Sequence, residues 1–248
     1  MSLLVRPIGV LRSCYAQKFG IPRQPGLVPS ATATLHLDRA VVTRDALRGL
    51  EAWTHAWVIF HFHEAHDVKM TVRPPRLGGS RRMGVLATRS PHRPNHLGLS
   101  AVALGAIDPD AMTVELRGGD FLDGTPCVDL KPYVPYADAI PDAGGAWADT
   151  GAVRQSVRFT DAGRAACDAH PQPGGRSLAE LVAETLSHDP RRPRARDGGY
   201  ALKIGDLDVL ARIEDGAWLV EDVVVRTPSS GGVTGGGPPV PASTEGEP

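Results

Sequence analysis

The sequence predicts a mainly β protein, with an antiparallel β-barrel domain at the N-terminus, a small α+β domain after it and a disordered tail. Residues 1–142 contain short apolar segments separated by Gly- and Pro-rich turns, which is typical of an all-β domain. A Gly/Ala-rich linker is expected at 143–154, and residues 155–226 then mix helical and strand patterns. Residues 227–248 are mostly Pro, Gly, Ser and Thr and offer little to bury, so this tail is expected to be disordered.

Alternation of apolar and polar side chains predicts two half-buried strands in the first domain, at 31–37 and 112–117. Three further segments are more continuously apolar and predict strands covered on both faces: 53–62, 83–87 and 99–107. Only residues 43–50 predict a short helix. Because the strands do not alternate with helices, the pattern favours a closed or nearly closed barrel over βαβ units.

The second domain begins its helix with a capping box. Ser177 precedes Glu180 by three residues, and apolar residues then continue at helical spacing. Three strands are predicted after this helix, at 200–204, 208–213 and 218–225, with Asp215-Gly216 as the hairpin turn between the last two.

Composition excludes several classes of protein. The chain of 248 residues has 27 Lys and Arg against 28 Asp and Glu, which argues against a disordered polyelectrolyte or a generally basic nucleic-acid coat protein. No apolar run approaches the ~20 residues that span a bilayer, and no signal peptide is evident. Three cysteines lie far apart in the sequence, at 14, 127 and 167, which argues against a disulfide framework or a structural zinc site. A cytoplasmic protein without membrane contact is expected.

The near-zero net charge hides a local asymmetry. Between Asp67 and Asp108 there is no acidic residue but there are seven basic ones, so this stretch can create a positive field. The alternative is that folding interleaves this stretch with the later acidic segments and cancels the field.

Well-known catalytic motifs are missing from the sequence. It contains no GxGxxG after a strand, no Walker sequence and no GxSxG elbow. His55, His61 and His63 share parity on a predicted strand, so they could bind a metal together with Glu64 or His66. The alternative is that these histidines bond to neighbouring main chain. Since no second ligand pair follows at metal spacing, no metal site is predicted.

Two arginine-rich loops are the densest constellation, VRPPRLGG at 72–79 and ATRSPHRPN at 87–95. The planar guanidinium can donate two parallel hydrogen bonds to a phosphate, and neighbouring prolines lower the cost of ordering the loop. Asn95 could contact a base edge. In a third loop, at 123–133, a carboxylate precedes a tight turn whose amides could bind a small ligand.

Seven sequence motifs occur in the same order as in a known protein family. They are IGVLRS at 8–13, FGIPRQPGL at 19–27, LRGLE at 47–51, the two arginine-rich loops, LDGTP at 122–126 and DLKPYVPY at 129–136. The chain resembles the family of S-adenosylmethionine-dependent tRNA adenine-N6 methyltransferases, which act beside the anticodon on N6-threonylcarbamoyl adenosine. The resemblance runs from Ile8 to Tyr136. The sequence departs from the family's pattern at Cys14, His92 and His96, which affects local loop shape and substrate fit.

This resemblance implies a β-barrel methyltransferase that acts as a homodimer, with S-adenosylmethionine bound near the subunit interface. Carried over residue by residue, it implies these cofactor-binding residues: Pro22, Arg23, Gln24, His63, Glu64, Arg89, Leu99, Asp123, Gly124, Thr125 and Pro126.

For the proposed substrate, the N6 lone pair is delocalised into the ring and the carbonyl, so removing its proton would help the transfer. Three candidate bases are left unranked: His63, Glu64 and Asp129. The anticodon stem is expected to meet a set of basic and amide side chains: Arg73, Arg76, Arg81, Arg82, Arg93 and Asn95. The basic tract at 191–196 is either a further RNA contact or a solvated loop.

Two other functions compete with the methyltransferase. One is a non-enzymatic RNA-binding barrel that uses the arginine loops without a cofactor. The other is a metal-dependent hydrolase built on His61 and His63. The family resemblance favours the methyltransferase over both, whereas the residues alone indicate a β-rich, ligand-binding domain with an arginine-lined face.

Overall fold

A computed structural model describes residues 3–148, 154–173, 175–191 and 198–226. The first part of the chain contains eight strands: β1 (Gly9–Ser13), β2 (Thr32–Leu37), β3 (His55–His61), β4 (Thr71–Val72), β5 (Met83–Gly84), β6 (Leu97–Asp108), β7 (Thr113–Arg117) and β8 (Thr125–Pro132). Six of them close an antiparallel barrel in the order β1-β2-β7-β6-β3-β8. The predicted barrel is therefore confirmed.

Period-two alternation fills the barrel. On β3, Ala56, Val58 and Phe60 are buried, while the residues between them face outward and are at least partly exposed. Phe60 packs edge-on against Phe121, with ring centroids 5.0 Å apart. Burying each large apolar side chain contributes about 1.5–3 kcal/mol to the free energy of folding. The packed interior therefore stabilises the strands, and the loops leave from strand ends with defined positions.

Two predicted elements of the first domain differ from the structure. The predicted strand at 83–87 is a two-residue strand followed by a 3₁₀ turn at Val85–Ala87. The reason is that this segment lies in the long excursion between β3 and β6, where it pairs only with β4. The predicted helix at 43–50 is instead two 3₁₀ turns, Arg44–Leu47 and Leu50–Ala52, because Gly49 between them adopts a φ of 85°.

The second part of the chain forms a small sheet with helices. After the short helix α1 (Pro135–Asp138) come β9 (Val157–Phe159), α2 (Asp161–Asp168), α3 (Leu178–Ser187), β10 (Gly199–Ile204), β11 (Leu207–Glu214) and β12 (Ala217–Val225). The sheet order is β10-β11-β12-β9, with β9 parallel to β12 and the other pairs antiparallel.

The capping box and the hairpin turn are confirmed. Ser177 Oγ accepts a hydrogen bond of 3.1 Å from the main-chain N–H of Glu180, and α3 follows. Asp215 and Gly216 both have positive φ, at 52° and 74°, which suits a tight hairpin between β11 and β12. The sequence patterns do not predict α2.

The β1–β2 loop joins the barrel to this second part. Tyr15, Val28 and Ala31 from the loop are buried in one apolar cluster with residues of α3 and the small sheet. Tyr15 Oη lies 3.2 Å from Thr185 Oγ1, and the N–H of Gly205 donates to the carbonyl of Cys14 at 2.8 Å. The loop is therefore held by both parts of the chain.

No helix in the described ranges is long and apolar enough to span a membrane. The predicted tail at 227–248, residues 149–153 of the predicted linker and residues 192–196 of the basic tract lie outside the described residues.

Candidate active site

Three loops that carry four of the seven family motifs leave the same end of the barrel. They are residues 14–31 between β1 and β2, residues 62–96 between β3 and β6, and residues 118–124 between β7 and β8. Strand register shows why, because Leu11 pairs with Thr125, and His61 pairs with Leu97 beside the start of β8. Antiparallel pairing thus gathers segments that lie far apart in sequence.

The turn before β8 is fixed by contacts to β1. Asp123 Oδ1 accepts a hydrogen bond of 2.9 Å from the N–H of Ser13, and its Oδ2 lies 3.0 Å from Arg12 Nη2. Gly124 follows with a φ of 80°, and its N–H donates to the carbonyl of Leu11 at 2.9 Å. A Cβ at Gly124 would meet only His63 Nε2, at 3.9 Å, so the turn leaves an open notch beside that imidazole.

Thr125 orients the imidazole of His63. The Thr125 hydroxyl is buried and donates its one proton to the carbonyl of Leu122 at 2.7 Å. It can then only accept from His63 Nδ1, which lies 3.4 Å away. This arrangement favours the tautomer that carries its proton on Nδ1, so the Nε2 lone pair faces the notch at Gly124.

A second group lies at the same end of the barrel. Arg89 Nη1 donates to Gln24 Oε1, which joins two of the three loops. Asp120 follows β7, and its Oδ1 accepts a hydrogen bond of 2.6 Å from Ser100 Oγ. Burial raises the pKa of Asp120 above its usual value, against the opposing effects of the Ser100 hydrogen bond and the Arg89 charge. One positive and one negative side chain therefore lie near each other at the loop end.

Sequence reasoning missed Asp120 as a site residue. Asp120 belongs to none of the seven family motifs. The only local sign in the sequence is the Gly118-Gly119 pair before it, which indicates a turn.

Other predicted site residues lie elsewhere or are already engaged. Glu64 forms an ion pair of 3.4 Å with Lys18, and Arg23 donates to main-chain carbonyls of the second part of the chain. Leu99 and Asp129 are exposed on the outer wall, where they flank Ile59 on β3.

Pro126 also lies on the wall, paired with Val10 of β1, and Pro22 is buried in the β1–β2 loop. Within the described ranges no hydrogen bond or ion pair joins Asp129 to His63, Gly124 or Thr125.

The predicted RNA-binding arginines lie on the hairpin that β4 and β5 form. Arg73, Arg76, Arg81 and Arg82 are exposed there. In the described part of the chain no ion pair neutralises Arg73, Arg81 or Arg82, so a positive surface remains after folding. Arg93 instead braces its own loop, since its Nη1 donates to the carbonyl of Thr88 at 3.1 Å, and Asn95 is exposed.

Histidines of the long excursion mostly stabilise loops. His92 Nδ1 donates to the carbonyl of Asp67 at 3.1 Å, and His96 Nδ1 donates to the carbonyl of Pro91 at 2.8 Å. Burial, then the neighbouring His96 and His63, lower the pKa of His61. No group of three or more His, Cys, Asp or Glu side chains in the described ranges could hold a metal ion.

Burial raises the pKa of the Cys14 thiol to about 11 and that of the Cys127 thiol to about 12, so neither is a thiolate at neutral pH.

A cavity of about 460 Å³ opens at the opposite end of the barrel. Its lining is mostly apolar and includes Leu37, Leu47 and Trp53, with Arg48 and Asp129 as the charged members. Because the paired charges and the oriented imidazole lie at the loop end, the candidate active site is placed there and not in this cavity.

Comparisons with known proteins agree with the motifs. Residues 10–139 match the family described as the tRNA-methyltransferase O N-terminal domain. The chain is 42% identical over 227 residues to the tRNA (adenine(37)-N6)-methyltransferase of Escherichia coli, which covers 86% of this chain and 94% of that protein. It is 44% identical over 217 residues to a Pseudomonas aeruginosa protein named as a candidate S-adenosylmethionine-dependent methyltransferase, covering 84% of this chain and 92% of that one. The crystal structure of TrmO from Pseudomonas aeruginosa is similar at a TM-score of 0.76 and 40% identity, over 90% of this chain and 99% of that chain.

Proposed function

The chain belongs to the tRNA-methyltransferase O family, and from this premise we propose that it is a tRNA methyltransferase that moves a methyl group from S-adenosylmethionine to N6 of the threonylcarbamoyl-modified adenosine next to the anticodon. One observation carries the proposal to this chain's own residues. Three loops with four of the seven family motifs meet at one barrel end, where His63 Nε2 faces an open notch.

The residues at this end fit the methyl donor. S-adenosylmethionine supplies a methyl group on a positively charged sulfur and carries an ammonium and a carboxylate at its amino-acid end. Arg89 can meet the carboxylate and Asp120 the ammonium, since opposite charges at short range form strong hydrogen bonds. Asp123 is less suited to the ammonium, because Arg12 and the N–H of Ser13 already occupy both its oxygens. The missing side chain at Gly124 leaves room for a ligand against the main chain.

His63 is the best placed of the three candidate bases. Its Nε2 carries the free lone pair and faces the notch, whereas Glu64 is paired with Lys18 and Asp129 lies on the outer wall. As N6 forms its new bond to the methyl carbon and the S–C bond breaks, the N6 proton passes to His63 Nε2. General-base catalysis of this kind typically contributes about 10²–10⁴-fold to a rate.

The arginine hairpin supplies the RNA contact. Arg73, Arg81 and Arg82 are exposed and have no ion-pair partner among the described residues, so they can donate to phosphates of the anticodon stem. Because this hairpin belongs to the same excursion as His63, RNA held by the arginines lies at the end of the barrel that carries the base. The tRNA substrate also supports a cytoplasmic location.

We expect the protein to act as a homodimer. Val10 on β1 and Leu97 and Leu99 on β6 are 40%, 39% and 55% exposed. They flank the wall that β8 and β3 form between them, where Val10 pairs with Pro126 and Leu97 pairs with His61. An apolar wall beside a charged site is suited to a second copy, which would bury the wall and shield the notch from water. Because the family resemblance implies a methyl donor near the subunit interface, we propose that Leu99 and Pro126 contact it there.

The experiment uses the purified protein, labelled methyl donor and bulk tRNA, with mass spectrometry of the resulting nucleosides. We expect methylation of the threonylcarbamoyl adenosine only. His63→Gln should lower the single-turnover rate by about 10²-fold while the Kd for S-adenosylmethionine stays within about twofold, because the base acts in the chemical step.

Wild-type protein that binds tRNA but shows no calorimetric heat with S-adenosylmethionine would instead favour the non-enzymatic RNA-binding barrel. An unchanged rate for His63→Gln would exclude His63 as the base.

A further inference from the structure

The turn that follows α3 is half-buried and is fixed by several side-chain hydrogen bonds. Asp189 adopts a φ of 42°, a backbone conformation that residues other than glycine rarely adopt. Hydrogen bonds to its carboxylate hold it in this conformation. Asp189 Oδ1 accepts from Arg191 Nε at 2.8 Å, and Oδ2 accepts from Arg191 Nη2 and from Gln155 Nε2, both at 3.0 Å. Strained backbone held by several partners is typical of segments with a functional constraint.

This turn grips the β1–β2 loop at two points. Arg23 Nη2 donates to the main-chain carbonyls of Asp189 and Arg191, at 3.3 and 3.0 Å. His188 Nε2 lies 2.9 Å from the carbonyl of Leu27 and must be the donor, since a carbonyl only accepts. Arg23 therefore points away from the notch, toward the second part of the chain.

The two grips bracket Gln24, which accepts the hydrogen bond from Arg89. A displacement of the loop between residues 23 and 27 would move Gln24 and so release the guanidinium of Arg89. Contacts thus run from the turn after α3, through the loop, to the arginine that meets the carboxylate in the proposed function.

The charge on Asp189 is maintained at neutral pH. Burial by itself would raise the pKa of Asp189, but the hydrogen bonds and charge of Arg191, and then the charge of Arg23, outweigh it and hold the pKa below its usual value. The carboxylate therefore stays ionised and keeps Arg191 in place.

We propose that residues 188–191 are a positioning element for the cofactor site, with Asp189 as the anchor that keeps Gln24 within reach of Arg89. This inference rests on the proposed function, because it assigns to the second part of the chain a role in binding the methyl donor. Asp189 touches neither substrate nor reacting atoms, so it is a positioning residue. Arg23, in turn, acts through the loop and not as a direct ligand.

The test compares Asp189→Asn with Asp168→Asn, a matched change at an exposed carboxylate of α2. Loss of the charge that anchors Arg191 should raise the Kd for S-adenosylmethionine, measured by calorimetry on the full chain, by about tenfold, as expected for one charged hydrogen bond. The KM for the methyl donor should rise in parallel, while kcat and the KM for tRNA stay within about threefold. Asp168→Asn should change none of these.

A second pair of variants keeps the inference testable if Asp189→Asn fails to fold. His188→Leu removes the donor to Leu27, whereas His188→Gln keeps an N–H at a similar reach, so the glutamine should restore most of the affinity that the leucine loses.

A purely structural role would lower the thermal midpoint and the active fraction but leave the Kd unchanged, and that result would overturn the inference. Wild-type protein without binding or methylation would overturn the proposed function itself, and the inference with it.

Discussion

Asp120→Asn separates the stability of this protein from its function. The carboxylate is buried beside Ser100, and burial raises its pKa despite the Ser100 hydrogen bond and the Arg89 charge. Asparagine keeps the size and the Oδ1 acceptor for the Ser100 hydroxyl but removes the charge. At neutral pH the variant should therefore be more stable than the wild type.

The size and sign of this effect follow from the raised pKa. Removing an unfavourable feature such as this buried charge from a functional site commonly raises the free energy of unfolding by about 0.5–2 kcal/mol. A change of about 1 kcal/mol moves the Tm of a chain of this length by about 2–4 °C. Because the folded-state pKa lies above the unfolded value, the wild type loses stability as pH rises through the window between the two. The difference in Tm should be full at a pH above the raised folded-state pKa and shrink as the pH falls through the window down to the ordinary Asp pKa, because the folded wild type takes up its proton there.

Thermal melts followed by circular dichroism across this pH range test the stability, and calorimetry with S-adenosylmethionine tests the function. The Kd should rise by about tenfold, because a charged hydrogen bond to the ammonium is lost. Asp123→Asn is the control, since that carboxylate is held by Arg12 and its loss should lower the Tm. A Tm for Asp120→Asn that falls, or a gain that does not depend on pH, would refute the reasoning.

Three further predictions concern the RNA surface and the second part of the chain. Arg81→Ala combined with Arg82→Ala should weaken tRNA binding and reduce the salt slope by about 1–2, as measured by filter binding at several salt concentrations. Gly163→Ala should cost at least about 2 kcal/mol in urea denaturation, because its Cβ would press on a main-chain carbonyl of β12. Ser177→Ala should cost about 1 kcal/mol in the same assay, because α3 loses the hydrogen bond to its third N–H.

Matched changes serve as controls for the first two. Arg6→Ala with Arg48→Ala removes two arginines from the other end of the barrel and should leave the salt slope unchanged. Gly144→Ala meets nothing within 4 Å, so it should be neutral. An equal loss of tRNA affinity in both arginine pairs would contradict a specific role for the hairpin.

Local pattern could predict some strands of the barrel and not others. β2 and β7 alternate apolar and polar residues because each has one face in the core, and alternation is visible in sequence. β1 and β8 escape this method, since Gly9, Pro126 and Pro132 are poor strand formers and only pairing with neighbours makes these segments strands. The segment at 83–87 fails in the opposite way, because it is a continuous apolar run that has no barrel neighbour to pair with.

The site shows the same division. Motif resemblance, which the family match confirms, points to Gln24, His63 and Arg89, but nothing local reveals what each side chain contacts. Arg23 meets the carbonyl of a residue 166 positions away, and that contact exists only after the second part of the chain has folded against the loop. Asp120 is similar, because its burial and its neighbour Arg89 arise from the tertiary fold.

Rigidity is unevenly divided across the loop end of the barrel. The notch is built from residues that strand ends and hydrogen bonds fix. Asp123 accepts a hydrogen bond from Ser13 of β1, and Thr125 pairs with Leu11 of β1 and donates to the carbonyl of Leu122 in its own turn. The arginine hairpin is instead held by two strands of two residues each, so its backbone has few bonds to keep one geometry. A small cofactor gains affinity from a site that is already ordered, whereas a tRNA stem, bound mainly through its phosphates, tolerates a surface that adjusts. Stiffening the hairpin should therefore change tRNA affinity without changing the Kd for S-adenosylmethionine.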